Sequence, residues 1–167
     1  MAGKEPSRLV EQSLEVAAAI SQAARTSGTS VAVAESLTSG SISCHLGAAE
    51  ESSNWYLGAV TAYSSEVKFS VLDVQRGPVI TALCAQQMAA GVGKLMGADF
   101  ALAVTGVGGP GPEEGSPAGT VFIAIHHAGN STVEEHHFHG DASHIVQATT
   151  QAALRMLEAA MRTSTAA

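Results

Sequence analysis

Residues 30–46 read SVAVAESLTSGSISCHL. Ser30–Ala34 is a short apolar run carrying two β-branched valines and no polar alternation, as expected of a buried strand. It passes through the hydroxyl-rich segment Glu35-Ser36-Leu37-Thr38-Ser39-Gly40 into a small-residue helix ending near Leu46. A buried strand feeding a helix in this way is the building unit of a layered α/β protein, and the rest of the chain can be placed around it.

Upstream, Leu9, Val10, Leu14, Ala17, Ile20 and Ala24 recur at helical spacing over residues 8–25, with Ser7 placed to cap the start and Gly28 to end it. Downstream, a second strand is predicted at Leu57–Ala62, followed by Tyr63 and a short helix through Glu66, Val67, Lys68 and Leu72. Gly77-Pro78 punctuates the chain, and Thr81 caps a helix with Cys84, Met88, Val92 and Leu95 on one side, closed by Gly97. Phe100–Val104 reads as a third buried strand, and residues 106–119, dense in Gly and Pro, read as a loop. Val121–Ile125 and Thr132–Phe138 flank Ala128-Gly129-Asn130-Ser131 as an antiparallel hairpin. Asp141 then caps a last helix that turns Ile145, Thr149, Ala152, Met156 and Ala160 inward. The expected fold is α/β: one three-layer α/β/α domain over residues 1–167, with a mixed, mostly parallel sheet of about five strands.

Composition agrees with that fold and removes several classes of function. With 46% hydrophobic and 14% charged residues in 167, the chain can bury a core and is not a self-repelling disordered one. The formal charge is −7 and there is no basic run, which argues against duplex nucleic acid and against anionic membrane surfaces as partners. No stretch approaches the ~18 apolar residues of a membrane span, and the N-terminus lacks the apolar core of a signal peptide. Two cysteines, Cys44 and Cys84, form no metal or disulfide pattern, so free thiols in the cytoplasm are expected. Ala-rich helices with few large surface apolar residues are compatible with a small symmetric oligomer.

Three loops follow predicted strand ends, where ligands gather in sheets of this kind. In Glu35–Gly40, three hydroxyls and a glycine precede a helix whose free N–H groups suit an anion or a developing oxyanion; the alternative is a hydroxyl-rich helix cap. In Tyr63-Ser64-Ser65-Glu66-Val67-Lys68, a lysine held in a low-polarity site loses its proton and acts as a base, or else simply extends to solvent beside the tyrosine. In Thr105-Gly106-Val107-Gly108-Gly109-Pro110-Gly111-Pro112, glycines let backbone approach a ligand, or form a mobile connector; the pattern is neither a P-loop nor GxGxxG. Six of the seven histidines lie in residues 126–144, with His137 and His139 expected on one strand face and His136 on the other. They match no metal-binding spacing, and a polar hairpin edge accounts for them; no metal is expected.

Taken together, the three loops resemble the C-terminal domain of the CinA proteins, the nicotinamide-nucleotide amidohydrolases. Ala34-Glu35-Ser36-Leu37-Thr38-Ser39-Gly40 is similar to that family's A-E-S-C-T-G-G, and residues 57–68, LGAVTAYSSEVK, to its G-x-V-x-Y-S-N-E-x-K. Residues 104–111, VTGVGGPG, match V-T-G-I-A-G-P-x-G; Gly119-Thr120-Val121 matches the G-T-V that follows, and Phe138-His139-Gly140-Asp141 matches F-x-G-D. The likeness runs over about residues 7–161 in the family's order and spacing. It implies hydrolysis of the carboxamide of nicotinamide mononucleotide to nicotinate mononucleotide and ammonia, with no cofactor. It also implies Ser36 as nucleophile, Tyr63 as proton relay or orienter, and Lys68 as base.

Glu35, Thr38, Ser39, Gly40, Thr105, Gly106, Gly108, Gly109 and His144 are the expected substrate contacts. Where the family pattern G-D-R-x-x-V-R carries arginines, this chain has Ala142 and Val146; the family's K-P-V-G-T-V is replaced by Ser116-Pro117-Ala118-Gly119-Thr120-Val121. The alternative expectation is a paralogue of the same fold that is non-catalytic or binds another small ligand.

Overall fold

A computed structural model describes residues 7–165. Helix α1 (Arg8–Ser27) starts at Ser7, whose hydroxyl accepts the Val10 N–H, and stops at Gly28 in the left-handed conformation. Strand β1 (Val31–Glu35) is buried throughout. It is followed by α2 (Ser41–Gly47), β2 (Tyr56–Thr61), α3 (Ser65–Val71) and α4 (Ala82–Met96). Strands β3 (Phe100–Gly106), β4 (Thr120–His127) and β5 (Asn130–His137) precede the long helix α5 (Ala142–Thr165).

The five strands form one sheet in the order β2-β1-β3-β4-β5. Strand β1 pairs in parallel with β2 and β3, whereas β4 runs antiparallel to both of its neighbours, so it alone opposes the common direction. The expected mixed, mostly parallel sheet is therefore present. The chain leaves β1 for β2 on one side and returns from β2 to β3 on the other, which opens a crevice at the carboxyl end of β1.

Side chains alternate across the sheet. Val31, Val33, Phe100, Leu102 and Val104 face α1, α2 and α5 in one core. Ala32, Ala34, Ala101, Ala103 and Ala124 face α4 in the other. The alanine face lets α4 come close. At Gly91 an added Cβ would lie 2.0 Å from the Leu72 carbonyl oxygen, so α4 packs backbone to backbone against the end of α3.

Several expectations are corrected in detail. The buried face of α1 runs through Ser13, Val16, Ala17, Ile20, Ser21 and Ala24, and leaves Leu14 49% exposed. Leu95 likewise points out from α4. In α5 the buried positions are Ile145, Ala148, Thr149, Thr150, Ala153, Leu154, Leu157 and Met161, while Ala152, Met156 and Ala160 only border the core. Serines and alanines on the packing faces blur the polar–apolar contrast that would otherwise set the phase of each helix. The hairpin turn is two residues, Ala128 and Gly129, both at positive φ, rather than four; that geometry matches the twist of the flanking strands. His139 lies beyond β5 and shares no strand face with His137.

Candidate active site

Strand β1 ends at Glu35, whose side chain is fully buried. Its carboxylate accepts the N–H groups of Gly40 (3.0 Å), Ile42 (3.2 Å) and Ser43 (2.8 Å) at the start of α2. The N-terminus of α2 is thus occupied by the chain's own anion, neither open to an external one nor capped by a hydroxyl; Gly40, the N-cap, contributes no side chain. The intervening residues form a tight reversal, with the Ser39 N–H donating to the Ser36 carbonyl at 3.1 Å and Ser39 at φ 50°. Ser36 is held in this reversal, 7% exposed, facing a cavity.

The second wall of the cavity comes from β2 and α3. The Glu35 carbonyl accepts the Ala62 N–H at 2.7 Å, which keeps the ends of β1 and β2 level. Ser64 caps α3, and Lys68 lies one turn further in, 1% exposed. Its Nζ donates to the Ala62 carbonyl at 2.7 Å and to the Tyr63 carbonyl at 3.2 Å. Burial pushes the Lys68 ammonium below its ordinary pKa, while the nearby Cys84, Glu113 and Glu114 oppose that shift. A neutral amine has two protons and one lone pair. Here both protons have carbonyl acceptors, which leaves the lone pair for a third direction. The Tyr63 side chain is 69% exposed at the cavity mouth.

The third wall is the segment after β3. The Thr105 hydroxyl donates to the Val79 carbonyl at 2.8 Å, and the Glu114 carboxylate accepts the N–H groups of Val79 (2.9 Å) and Ile80 (3.0 Å). These bonds fasten the glycine-rich loop to the connection between α3 and α4. Gly106 is required where the loop leaves the sheet, because a Cβ there would lie 2.4 Å from the Thr120 carbonyl oxygen.

The resulting cavity, about 360 Å³, brings together Ser36, Tyr63, Lys68, Thr105, Gly106, Gly108 and Gly109. Ala142 and Val146 of α5 also line it. Glu35, Thr38, Ser39, Gly40 and His144 do not line it. Thr38 is buried beneath the Ser36 reversal, and His144 packs against Gly140 on the surface. Val79, Ile80 and Glu113 reach the wall without having stood out in sequence; the Gly77-Pro78 turn was the one local signal near the first two. A larger open groove of about 930 Å³, between α5 and the β4–β5 hairpin, shares no residue with this cavity. Among the described residues no three His, Cys, Asp or Glu side chains converge as metal ligands would.

Residues 13–161 match the model of the CinA C-terminal domain. The chain belongs to the CinA C-terminal domain family. Among its relatives, a CinA-like protein of Geobacter metallireducens is 35% identical over 139 residues, covering 80% of this chain and 34% of that protein. One from Microcystis aeruginosa is 38% identical over 115 residues, covering 65% of this chain and 28% of the other. The chain spans between 25% and 33% of the length of the first curated relatives it matches. Solved structures are nearer in size. A CinA superfamily protein from Klebsiella pneumoniae 700603 superposes with TM-score 0.86 at 30% identity, covering 90% of this chain and 98% of that one. A competence/damage-inducible protein from Agrobacterium tumefaciens gives TM-score 0.86 at 29% identity, covering 96% and 99% respectively. Among the described residues of this CinA domain, no helix is long and apolar enough to cross a membrane.

The reversal that carries Ser36 in this CinA domain depends on Glu35. Glu35→Gln replaces one acceptor oxygen by a donor facing N–H groups, so it is expected to cost about 1.5–3 kcal/mol of stability. Urea denaturation measures this, and an unchanged midpoint and slope would contradict the role assigned to the carboxylate.

Proposed function

We propose that this CinA domain hydrolyses a small carboxamide through a covalent Ser36 intermediate, with nicotinamide mononucleotide the substrate that the family resemblance names. The observation that carries this reading is the presence of Ser36 and a buried Lys68, whose pKa burial lowers, on the wall of one cavity. Neutral Lys68 takes the Ser36 hydroxyl proton as Oγ attacks the amide carbon. The C–N bond then breaks, the proton passes from Lys68 to the departing nitrogen, and ammonia leaves an ester on Ser36. Water, deprotonated by the same amine, opens the ester to a carboxylate and restores the serine. Splitting amide cleavage into two steps lowers each barrier. Backbone N–H groups of Gly108 and Gly109, which border the cavity, are candidate donors to the oxyanion.

A second reading keeps the chemistry and changes the ligand. It rests on Ala142 and Val146, which place apolar side chains on the cavity wall where an anion-binding site would have cations.

Ser36→Ala removes the nucleophile and no core volume. Ammonia release, followed with a coupled assay, is expected to fall at least about a thousandfold with an unchanged melting temperature; near-parental turnover would refute the acyl-enzyme route.

The base makes a separate prediction. Lys68 accepts a proton only when neutral, so the rate is expected to rise with pH and level off below the ~10.4 of an ordinary lysine. In Lys68→Met the limb should vanish along with most of the activity. A flat wild-type profile with full activity in the variant would remove Lys68 from the mechanism.

A further inference from the structure

The charges around the cavity determine which carboxamides it admits. Lys68 is the one cation among the described residues that line it, and its Nζ is turned to two backbone carbonyls. The nearby Arg76 guanidinium is held by both oxygens of Glu66 at 2.9 and 2.7 Å and does not reach the wall. The N-terminus of α2 beside Ser36 would ordinarily be the strongest backbone anion site in such a fold. Here the Glu35 carboxylate already takes its Gly40, Ile42 and Ser43 N–H groups. The Val79 and Ile80 N–H groups are likewise taken by the Glu114 carboxylate.

What remains on the wall carries no positive charge: the hydroxyls of Ser36 and Ser65 and the backbone of the glycine-rich loop are neutral. Glu113 contributes a carboxylate, and Leu37, Ala142 and Val146 contribute hydrocarbon. Glu113 is the one acidic side chain among the described residues that line the cavity. The mouth carries the exposed aromatic face of Tyr63, a surface that attracts cations and stacks on flat rings. The whole chain adds to this field with a net charge of −7. A phosphomonoester, with its charge of about −1.5 to −2 near neutrality, would enter against like charge, with the wall's one cation turned to backbone carbonyls and the N–H groups at the head of α2 already engaged.

We propose that this site, on the amidohydrolase reading above, selects carboxamides that carry no phosphate and whose body is neutral or cationic, such as a pyridinium nucleoside. Glu113 then faces a positive ring, and the phosphate-free end meets the apolar α5 wall.

The test compares kcat/KM for ammonia release from nicotinamide riboside and from nicotinamide mononucleotide, which differ by the phosphate alone. The riboside is expected to be favoured by about tenfold or more, since like charges juxtaposed at a binding surface are strongly disfavoured. Glu113→Gln keeps the shape of the wall and should narrow that ratio. Ala142→Arg, which introduces a cation there, should move it toward the mononucleotide. Equal turnover, or preference for the mononucleotide, overturns this inference and leaves the amidohydrolase reading intact. A riboside preference unaltered in both variants overturns the electrostatic cause and with it the assignment. Ammonia from neither compound overturns the inference and the underlying reaction together.

Discussion

The Glu35 carboxylate accepts three backbone N–H groups at the head of α2 while the carbonyl of the same residue accepts the Ala62 N–H at the end of β2. One residue therefore ties a helix start to the central strand and sets the level of the neighbouring strand. The reversal bearing Ser36 is closed on one side of this junction, and the carbonyls of Ala62 and Tyr63 that receive Lys68 lie on the other. Neither half of the site can move far without breaking a buried hydrogen bond, and those to the Glu35 carboxylate are charge-assisted. Such bonds are about twice as strong as neutral ones, and a charge left unpaired in the interior is costly.

Electrostatics then divides the site into two regions with different tasks. Lys68 is enclosed by the alanine face of the sheet, the end of α3 and the Val79–Ile80 connection, and burial disfavours its charged form. Glu113 and Glu114 limit that effect, so the acidic loop works against the desolvation of the lysine that it borders. Glu114 also pins the loop to Val79 and Ile80, which makes a single carboxylate both a mechanical tie and a charge. Cys84 lies near the same lysine, and burial pushes its thiol up to about 11; a thiol of that kind stays protonated and serves as packing rather than as a nucleophile.

Features with local causes were legible in the sequence. Ser7 and Gly28 bound α1, and Thr81 and Gly97 bound α4, because a cap is decided by a few adjacent residues. Ser36, Tyr63, Lys68 and the Gly106–Gly109 stretch could be singled out because each follows the end of a parallel strand, where the topology forces chain segments together. Features that depend on side-chain direction were not. Glu35 alternates with the strand yet turns forward onto α2, so its adjacency to Ser36 resembled a ligand contact. Leu14 and Leu95 were placed inward because leucine outweighs serine and glycine in any apolar pattern, whereas the close helix packing here favours the small residues. Val79, Ile80 and Glu113 arrive at the wall through the path of the α3–α4 connection and the loop, which no local pattern specifies.

The proposed mechanism rests on a lysine whose pKa burial lowers, and that shift can be read directly. The chain has three lysines, Lys4, Lys68 and Lys94, so a nuclear magnetic resonance titration of the lysine Cε and Nζ signals is simple to assign with Lys68→Met as reference. Lys68 is predicted to titrate well below the ~10.4 typical of free lysine, apart from the other two. Titration of Lys68 together with Lys4 and Lys94 in the ordinary range would contradict the assignment of the base and the mechanism built on it.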